Sequence, residues 1–515
     1  MYNRMMRAPN PHTEKVFFSA NATFTQLIDH SNPDLGTFEQ FYYYGTEYWK
    51  GPGSPVVFMT PGEGNATGYD SYLHENRTTG LIAKEIGAAV VVVEHRYWGT
   101  STPCTNLTTK CLQHLTLNNS IADFVRFAKE VKLPFDTSGK SNADNAPWVM
   151  VGGSYPGALA AWTAAVAEGT FWAYYASSGP VQVMDYWQYF NPIQEGMAKN
   201  CSKDIGLVVD HIDHIGLNGT RQQKKALQTM FGMGELEHYD DFASSLQNGP
   251  WLWQGNSMTR NSGFFDFCDA VEGVNKKVNG GGSNTTFTSI PGPEGVGLQK
   301  ALEGYAAWMK AVLIPDYCKD LGYPEWNSTN DVGCFDTYNA SNPLFTDTTL
   351  SNQVDRQWVW MTCNEPFGYW QDSPPAGQPS IVSRFVTEEY WTRQCPLYFP
   401  PDEASGVSLS NNTFQQLNDF TGGWFNNDTQ RLLYVNGQYD PWRDAGVSSK
   451  YRPGGPLNST EQTPVLVVPG GFHCTDLVPA NGAVNAGVKA TIDAAVRQIV
   501  QWVGEYSRPY NYGGY

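Results

Sequence analysis

At 515 residues the chain is too long for one ordinary domain, and 41% hydrophobic content with 14% aromatic residues can supply a large core. The formal net charge of −17 and pI near 4.9 exclude a nucleic acid or an anionic membrane as an ordinary partner. No apolar run reaches the roughly 18 residues that a membrane span needs.

In chain order, residues 55–60 form a short apolar run ending in Pro61-Gly62-Glu63-Gly64, a strand followed by a tight loop. A helical pattern over 81–86 precedes the β-branched run 88–93, a second buried strand. Apolar residues then recur at helical spacing over 121–131 (Ile121, Phe124, Val125, Phe127, Ala128, Val131). A third apolar run, 148–151, leads into an Ala-rich helix over 158–167. Continuous apolar strands separated by helices predict a mainly parallel sheet covered on both faces. From about 181 to 420 the chain changes to longer polar helical segments with Gly-, Asn- and Pro-rich connections, among them 279–283 and 289–297. The sheet pattern resumes with strands at 431–435 and 465–468 and closes with a helix over 483–503. This layout predicts an α/β-hydrolase fold split by an inserted, mainly helical, disulfide-containing cap. The hydrolase domain occupies 1–180 and 425–515, and the cap 181–424.

The strongest local signal is Gly152-Gly153-Ser154-Tyr155-Pro156-Gly157, where a strand runs straight into a small-residue helix. Small neighbours permit the strained turn that presents a nucleophilic serine, and the helix N-terminus favours a developing oxyanion. Asp440 and His473 each follow a late strand, at the carboxyl ends where such sheets place their sites. The order Ser154, Asp440, His473 is the one this fold uses for a catalytic triad. The oxyanion donors expected are the N–H of Tyr155 and one from the 61–64 loop, assigned to Gly64. His95, within Glu94-His95-Arg96-Tyr97, reads as part of an ion-paired structural loop. No P-loop, G-x-G-x-x-G or H-E-x-x-H pattern is present, so neither cofactor nor metal is expected.

Two features point to the secretory pathway. Thirteen N-x-Ser/Thr acceptor sites occur, at Asn21, Asn65, Asn76, Asn106, Asn118, Asn200, Asn218, Asn284, Asn327, Asn339, Asn411, Asn427 and Asn458. Nine cysteines show no zinc spacing; Cys104 with Cys111 and Cys318 with Cys334 look like local staples, and Cys474 is the candidate free thiol. The start, Met1-Tyr2-Asn3-Arg4, lacks the apolar core of a leader, which a secreted form would have lost.

Taken together, Gly152-Gly-Ser-Tyr155, Glu94-His-Arg-Tyr97, Asn436-Gly-x-x-Asp-Pro-Trp442 and Gly471-Phe-His-Cys474 resemble the lysosomal Pro-X carboxypeptidase and dipeptidyl-peptidase group of serine peptidases. Phe24-Thr-Gln-Leu-Ile-Asp-His30 is similar to that group's N-terminal signature, and within the group the likeness is greatest to secreted fungal prolyl endopeptidases of the Aspergillus type. The resemblance implies cleavage after proline at acidic pH, on proline-containing peptides or proteins, with a helical cap inserted into the hydrolase domain; the localisation expected is secreted or vacuolar/lysosomal, and a monomer or dimer is expected. It assigns the triad roles to Ser154, Asp440 and His473 and the proline pocket to Trp442. It also implies the pairs Cys201–Cys268, Cys318–Cys334 and Cys363–Cys395, and carries over Cys104–Cys111. Trp360, Met361, Tyr369 and Trp370 are further expected pocket walls, and Glu63 and Glu365 could capture an amino terminus. An exopeptidase, an esterase and a silent hydrolase-fold binding protein remain open alternatives. An imidazole base working in acid would need burial, or the loss of nearby negative charge, to lower its pKa.

Overall fold

The structure is a computed structural model that describes residues 20–274, 290–426 and 428–506, with the backbone of a short hairpin between 276 and 287. Its strands are β1 (Ala20–Leu27), β2 (Thr37–Gly45), β3 (Val56–Met59), β4 (Ala89–Val93), β5 (Trp148–Gly153), β6 (Ala173–Ser177), the hairpin β7 (Lys276–Val278) and β8 (Thr285–Phe287), β9 (Leu432–Gly437) and β10 (Val465–Val468). All but the hairpin join one sheet in the order β1-β2-β4-β3-β5-β6-β9-β10. β2 pairs antiparallel with β1 and β4, and every later neighbour pairs parallel. An antiparallel entry followed by parallel strands in this order is the α/β-hydrolase fold.

The sequence pattern explains why this sheet is buried on both sides. Alternate residues of each strand go to opposite faces. Val56, Phe58, Met150 and Tyr174 enter one core, and Val57, Met59, Val149, Val151 and Tyr175 the other. The second face is closed by helices Thr78–Ile86 and Ala486–Gly504, the latter burying Val488, Ile492, Ala495, Ile499 and Trp502. The first is covered by Leu117–Glu130 and Tyr155–Val166, and its core runs on into Ile205, Val208, Phe231 and Trp308 between β6 and β9. Each large aliphatic side chain so buried contributes about 1.5–3 kcal/mol. The segment between β6 and β9 is therefore packed onto the sheet through one continuous core. It is mainly helical, with helices such as Lys199–Asn218, Leu298–Trp308 and Arg356–Asn364.

Three strands of the large sheet, and both strands of the hairpin, have no counterpart among the sequence expectations. β1 and β2 alternate buried and exposed residues at the sheet's edge, and β6, Ala-Tyr-Tyr-Ala-Ser, carries no β-branched run. The 279–283 connection lies outside the described residues. Disulfides join Cys104–Cys111, Cys201–Cys268, Cys318–Cys334 and Cys363–Cys395, and Cys474 carries the free thiol.

Candidate active site

β5 ends at Gly153, and the helix Tyr155–Val166 starts one residue later, which forces Ser154 to φ 65°, ψ −132°. For a non-glycine residue this is strained backbone, and the surroundings hold it there. Ser154 N–H donates to the Ser177 carbonyl (2.9 Å), and its carbonyl accepts the Ala158 N–H (3.0 Å). The turn closes only because glycine flanks it. A Cβ on Gly152 would lie 1.9 Å from the Pro156 carbonyl oxygen, and one on Gly157 would lie 2.4 Å from that of Ser177. Pro156 fits within the first helical turn, where its missing N–H has no intrahelical partner.

Asp440 follows β9 and His473 follows β10, and their side chains meet. His473 Nδ1 and Asp440 Oδ1 are 2.8 Å apart, with Asp440 fully buried and the His473 side chain 6% exposed. The Trp442 N–H donates to the same carboxylate oxygen (3.0 Å). Contact with the Ser154 turn is made next door, since a Cβ on Gly153 would come within 3.0 Å of the Cys474 sulfur. Burial alone would push His473 down. The neighbouring Cys474 sulfur and Asp440 carboxylate outweigh it and hold the imidazole well above the ordinary histidine value. This is opposite to the lowering that catalysis in acid calls for.

Ser154 and Tyr155 open onto a cleft of about 230 Å³ whose walls include Glu63, Pro180, Trp358, Tyr369, Trp370 and Trp442. Tyr155 is the first residue of its helix, so its N–H has no intrahelical acceptor. In the loop after β3 it is Glu63 that lines the cleft; Gly64 is absent from the cleft lining, and a Cβ added to it would meet open space. Trp442 stacks on Tyr186 (5.3 Å, 13°) and meets Tyr369 edge-on (5.4 Å, 82°).

Three expected cleft residues sit elsewhere. Trp360 is buried and donates from Nε1 to the Leu115 carbonyl (3.0 Å), and Met361 is buried in the core beside it. The helix Arg356–Asn364 turns Trp358, Val359 and Thr362 to the cleft instead, as the helical period requires. Glu365 accepts the Leu117 N–H (2.8 Å) and so caps the helix Leu117–Glu130. Burial raises its pKa to about 7, as it does for Glu63, where Asp355 adds to the shift. Trp358 takes the place in the wall expected of Trp360, two residues away.

The Glu94–Tyr97 segment is a brace beneath the site. Glu94 accepts from Ala66 N, Thr100 N, Ser101 N and Ser101 Oγ, tying two loops together. Arg96 and Asp123, both buried, pair through Nε (2.7 Å) and Nη2 (2.6 Å). His95 Nε2 lies 3.1 Å from the Tyr155 hydroxyl, and burial lowers its pKa to about 4. Among the described residues, His238, Asp241 and Asp336 bring potential metal ligands within 4.8 Å of one another. The Asp241 carboxylate already accepts from Thr337 and Tyr390, and Arg393 lies 3.8 Å away, so the protein itself satisfies that charge.

The profile of the family described as Serine carboxypeptidase S28 matches residues 26–248 and 323–493, more than half of the chain. The chain belongs to this family. Serine protease vicPa of Bipolaris victoriae (strain FI3) is 42% identical to it, over 95% of this chain and 89% of the relative. The probable extracellular serine carboxypeptidase of Arthroderma benhamiae is 27% identical, over 87% and 62% of the two chains. The thymus-specific serine protease of Homo sapiens is 25% identical, over 93% and 85%. A solved arylesterase aligns over 98% of this chain with a TM-score of 0.34 at 10% identity. The protein is a serine peptidase, and peptides are its substrate class. No described helix of this S28 peptidase is long and apolar enough to cross a membrane.

Proposed function

We propose that this S28 peptidase is a secreted endopeptidase that hydrolyses peptide bonds on the carboxyl side of proline. Ser154 is its nucleophile, His473 its base and Asp440 the orienting acid. The observation that carries the specificity is the position of Trp442. Its backbone N–H anchors Asp440, while its side chain lines the same cleft as Ser154 with Tyr369 edge-on to its ring. A rigid, compact proline ring buries apolar surface against such walls at small entropic cost.

In the reaction, Ser154 Oγ attacks the prolyl carbonyl carbon and His473 Nε2 takes its proton. The tetrahedral oxyanion is held by the N–H of Tyr155 and by the loop at Glu63. Losing one such donor costs about 3–4 kcal/mol of transition-state stabilisation. Collapse breaks the C–N bond, and the leaving amine takes the proton from His473. Water, deprotonated by the same imidazole, then attacks the acyl-enzyme, releasing the new carboxyl terminus and restoring Ser154.

Charge in the cleft bears on endo- against exopeptidase action. Among the described residues its lining holds Glu63, Asp241, Asp336 and Asp355 but no Lys or Arg. This lining offers no cation to pair with the terminal carboxylate of a carboxypeptidase substrate, so that task would fall to a protonated carboxyl such as Glu63 or to backbone N–H groups. A dipeptidyl-peptidase is the second reading, because Glu63 beside Ser154 could bind an amino terminus. The test is a peptide with an internal proline, blocked at both ends, incubated with the enzyme and with Ser154→Ala. Cuts after proline that disappear in the variant support the proposal. Cleavage only once the amino end is unblocked moves the assignment to the dipeptidyl reading.

A further inference from the structure

We propose that one turn of the cap, carrying Trp253 and Gln254, positions the catalytic machinery. Trp253 holds the acid and base loops in register, and Gln254 sets the plane of Trp442. The inference rests on the triad and pocket assignments above and adds two residues to them.

Trp253 is almost fully buried and touches both loops at once. Its Nε1 donates to the carbonyl of Tyr439 (2.8 Å), the residue before Asp440. Its ring meets that of Phe472, the residue before His473, at 5.1 Å and 65°. The two loops are themselves bonded, with Tyr439 N–H donating to the Gly471 carbonyl (2.8 Å). They are also so close that a Cβ on Gly437 would lie 2.2 Å from the Phe472 carbonyl oxygen. Trp253 thus closes a ring of contacts around the Asp440–His473 bond, and it does so from the cap.

Gln254 serves the neighbouring residue in the same fashion. Its Oε1 accepts from Trp442 Nε1 (2.9 Å) and from the Tyr189 hydroxyl (2.8 Å). Tyr189 also packs edge-on against Trp442 (5.4 Å, 80°), so acceptor and ring together leave the indole one orientation. The turn is itself held firmly. Ser262 donates to Leu252 and Asn256, and Asn256 N–H returns to the Trp253 carbonyl (3.0 Å). Catalytic geometry tolerates little slack, since a displacement of about 1 Å can cost roughly a hundred-fold in rate.

The two roles separate experimentally. Trp253→Phe keeps a ring and removes the N–H. It should lower kcat about ten-fold or more on Pro and Ala substrates alike, with KM within about two-fold and fluorophosphonate labelling of Ser154 slowed in parallel. Gln254→Met should lower the Pro-over-Ala ratio of kcat/KM by about ten-fold, while Gln254→Glu, which keeps an acceptor oxygen, restores most of that ratio. If Trp253→Phe fails to fold by circular dichroism, Phe472→Leu tests the same contact from the other side, with the same fall in kcat expected. Unchanged kcat in a folded Trp253 or Phe472 variant overturns the brace, and an unchanged ratio in Gln254→Met overturns the role of Gln254. A wild-type enzyme with no preference for proline removes the pocket assignment, and a slowed Trp253→Phe labelling would still support the brace.

Discussion

Replacing Asp440 by Asn tests the proposed triad with almost no change of shape. The side chain is fully buried, and its Oδ1 accepts both His473 Nδ1–H (2.8 Å) and Trp442 N–H (3.0 Å). An amide retains one acceptor oxygen, which the Trp442 N–H can keep. Its NH2 then faces Nδ1 and forces the proton onto Nε2, so the imidazole cannot accept the Ser154 proton. The expected fall in kcat is about 10⁴-fold, or roughly 5.4 kcal/mol at 1.36 kcal/mol per decade, with KM little changed. The pH profile adds an independent readout. A base must be neutral, so kcat/KM rises with pH through the pKa of His473, which Cys474 and Asp440 hold above the ordinary histidine value against the opposing effect of burial. Removing the Asp440 charge should move that acid limb to lower pH. Both quantities come from initial rates on a blocked proline peptide from acid to alkaline pH, with circular dichroism confirming the fold. A fall of less than about ten-fold, or an acid limb that stays in place, would falsify the role given to Asp440.

Three further outcomes are expected. Gly157→Ala places a Cβ 2.4 Å from the Ser177 carbonyl oxygen, so the nucleophile turn should lose about 1–3 kcal/mol of stability and most of its fluorophosphonate labelling; a fully active, equally stable variant would contradict the packing argument. Arg96→Met strands the buried Asp123 with only His30 at 2.7 Å, for a loss of about 3–5 kcal/mol in thermal or denaturant unfolding, whereas the double variant with Asp123→Leu should recover much of it. Glycopeptide mass spectrometry of protein secreted from a eukaryotic host should find Asn200 bare. Its Nδ2 donates to the buried Glu272 (2.6 Å), unlike the exposed Asn21, Asn65, Asn76, Asn106, Asn118, Asn218, Asn327, Asn339, Asn411 and Asn458; a glycan on Asn200 would refute this. Asn284 and Asn427 lie outside the described residues.

What the sequence carried by itself is what local chemistry enforces. Strands buried on both faces must be apolar throughout, so β3, β4, β5 and β9 stand out as continuous runs, and the edge strand β10 is apolar as well. A serine at a strained strand-to-helix turn needs glycine on either side, and chain order alone places Asp440 and His473 after the last two strands. β1 and β2 escaped notice because an antiparallel edge alternates polar and apolar residues and resembles ordinary surface. Tertiary structure decided everything that depends on which face of an element meets which neighbour. Helix Arg356–Asn364 offers Trp358 and Trp360 at adjacent positions of one pattern, and only its docking sends the first to the cleft and the second to the core. Glu63 and Glu365 are alike in composition and raised pKa, yet one lines the cleft with Ser154 and the other caps a helix almost 250 positions earlier in the chain. Trp253 and Gln254 belong to no motif, because their partners at Tyr439, Trp442 and Phe472 are brought within reach only when the segment between β6 and β9 packs onto the sheet.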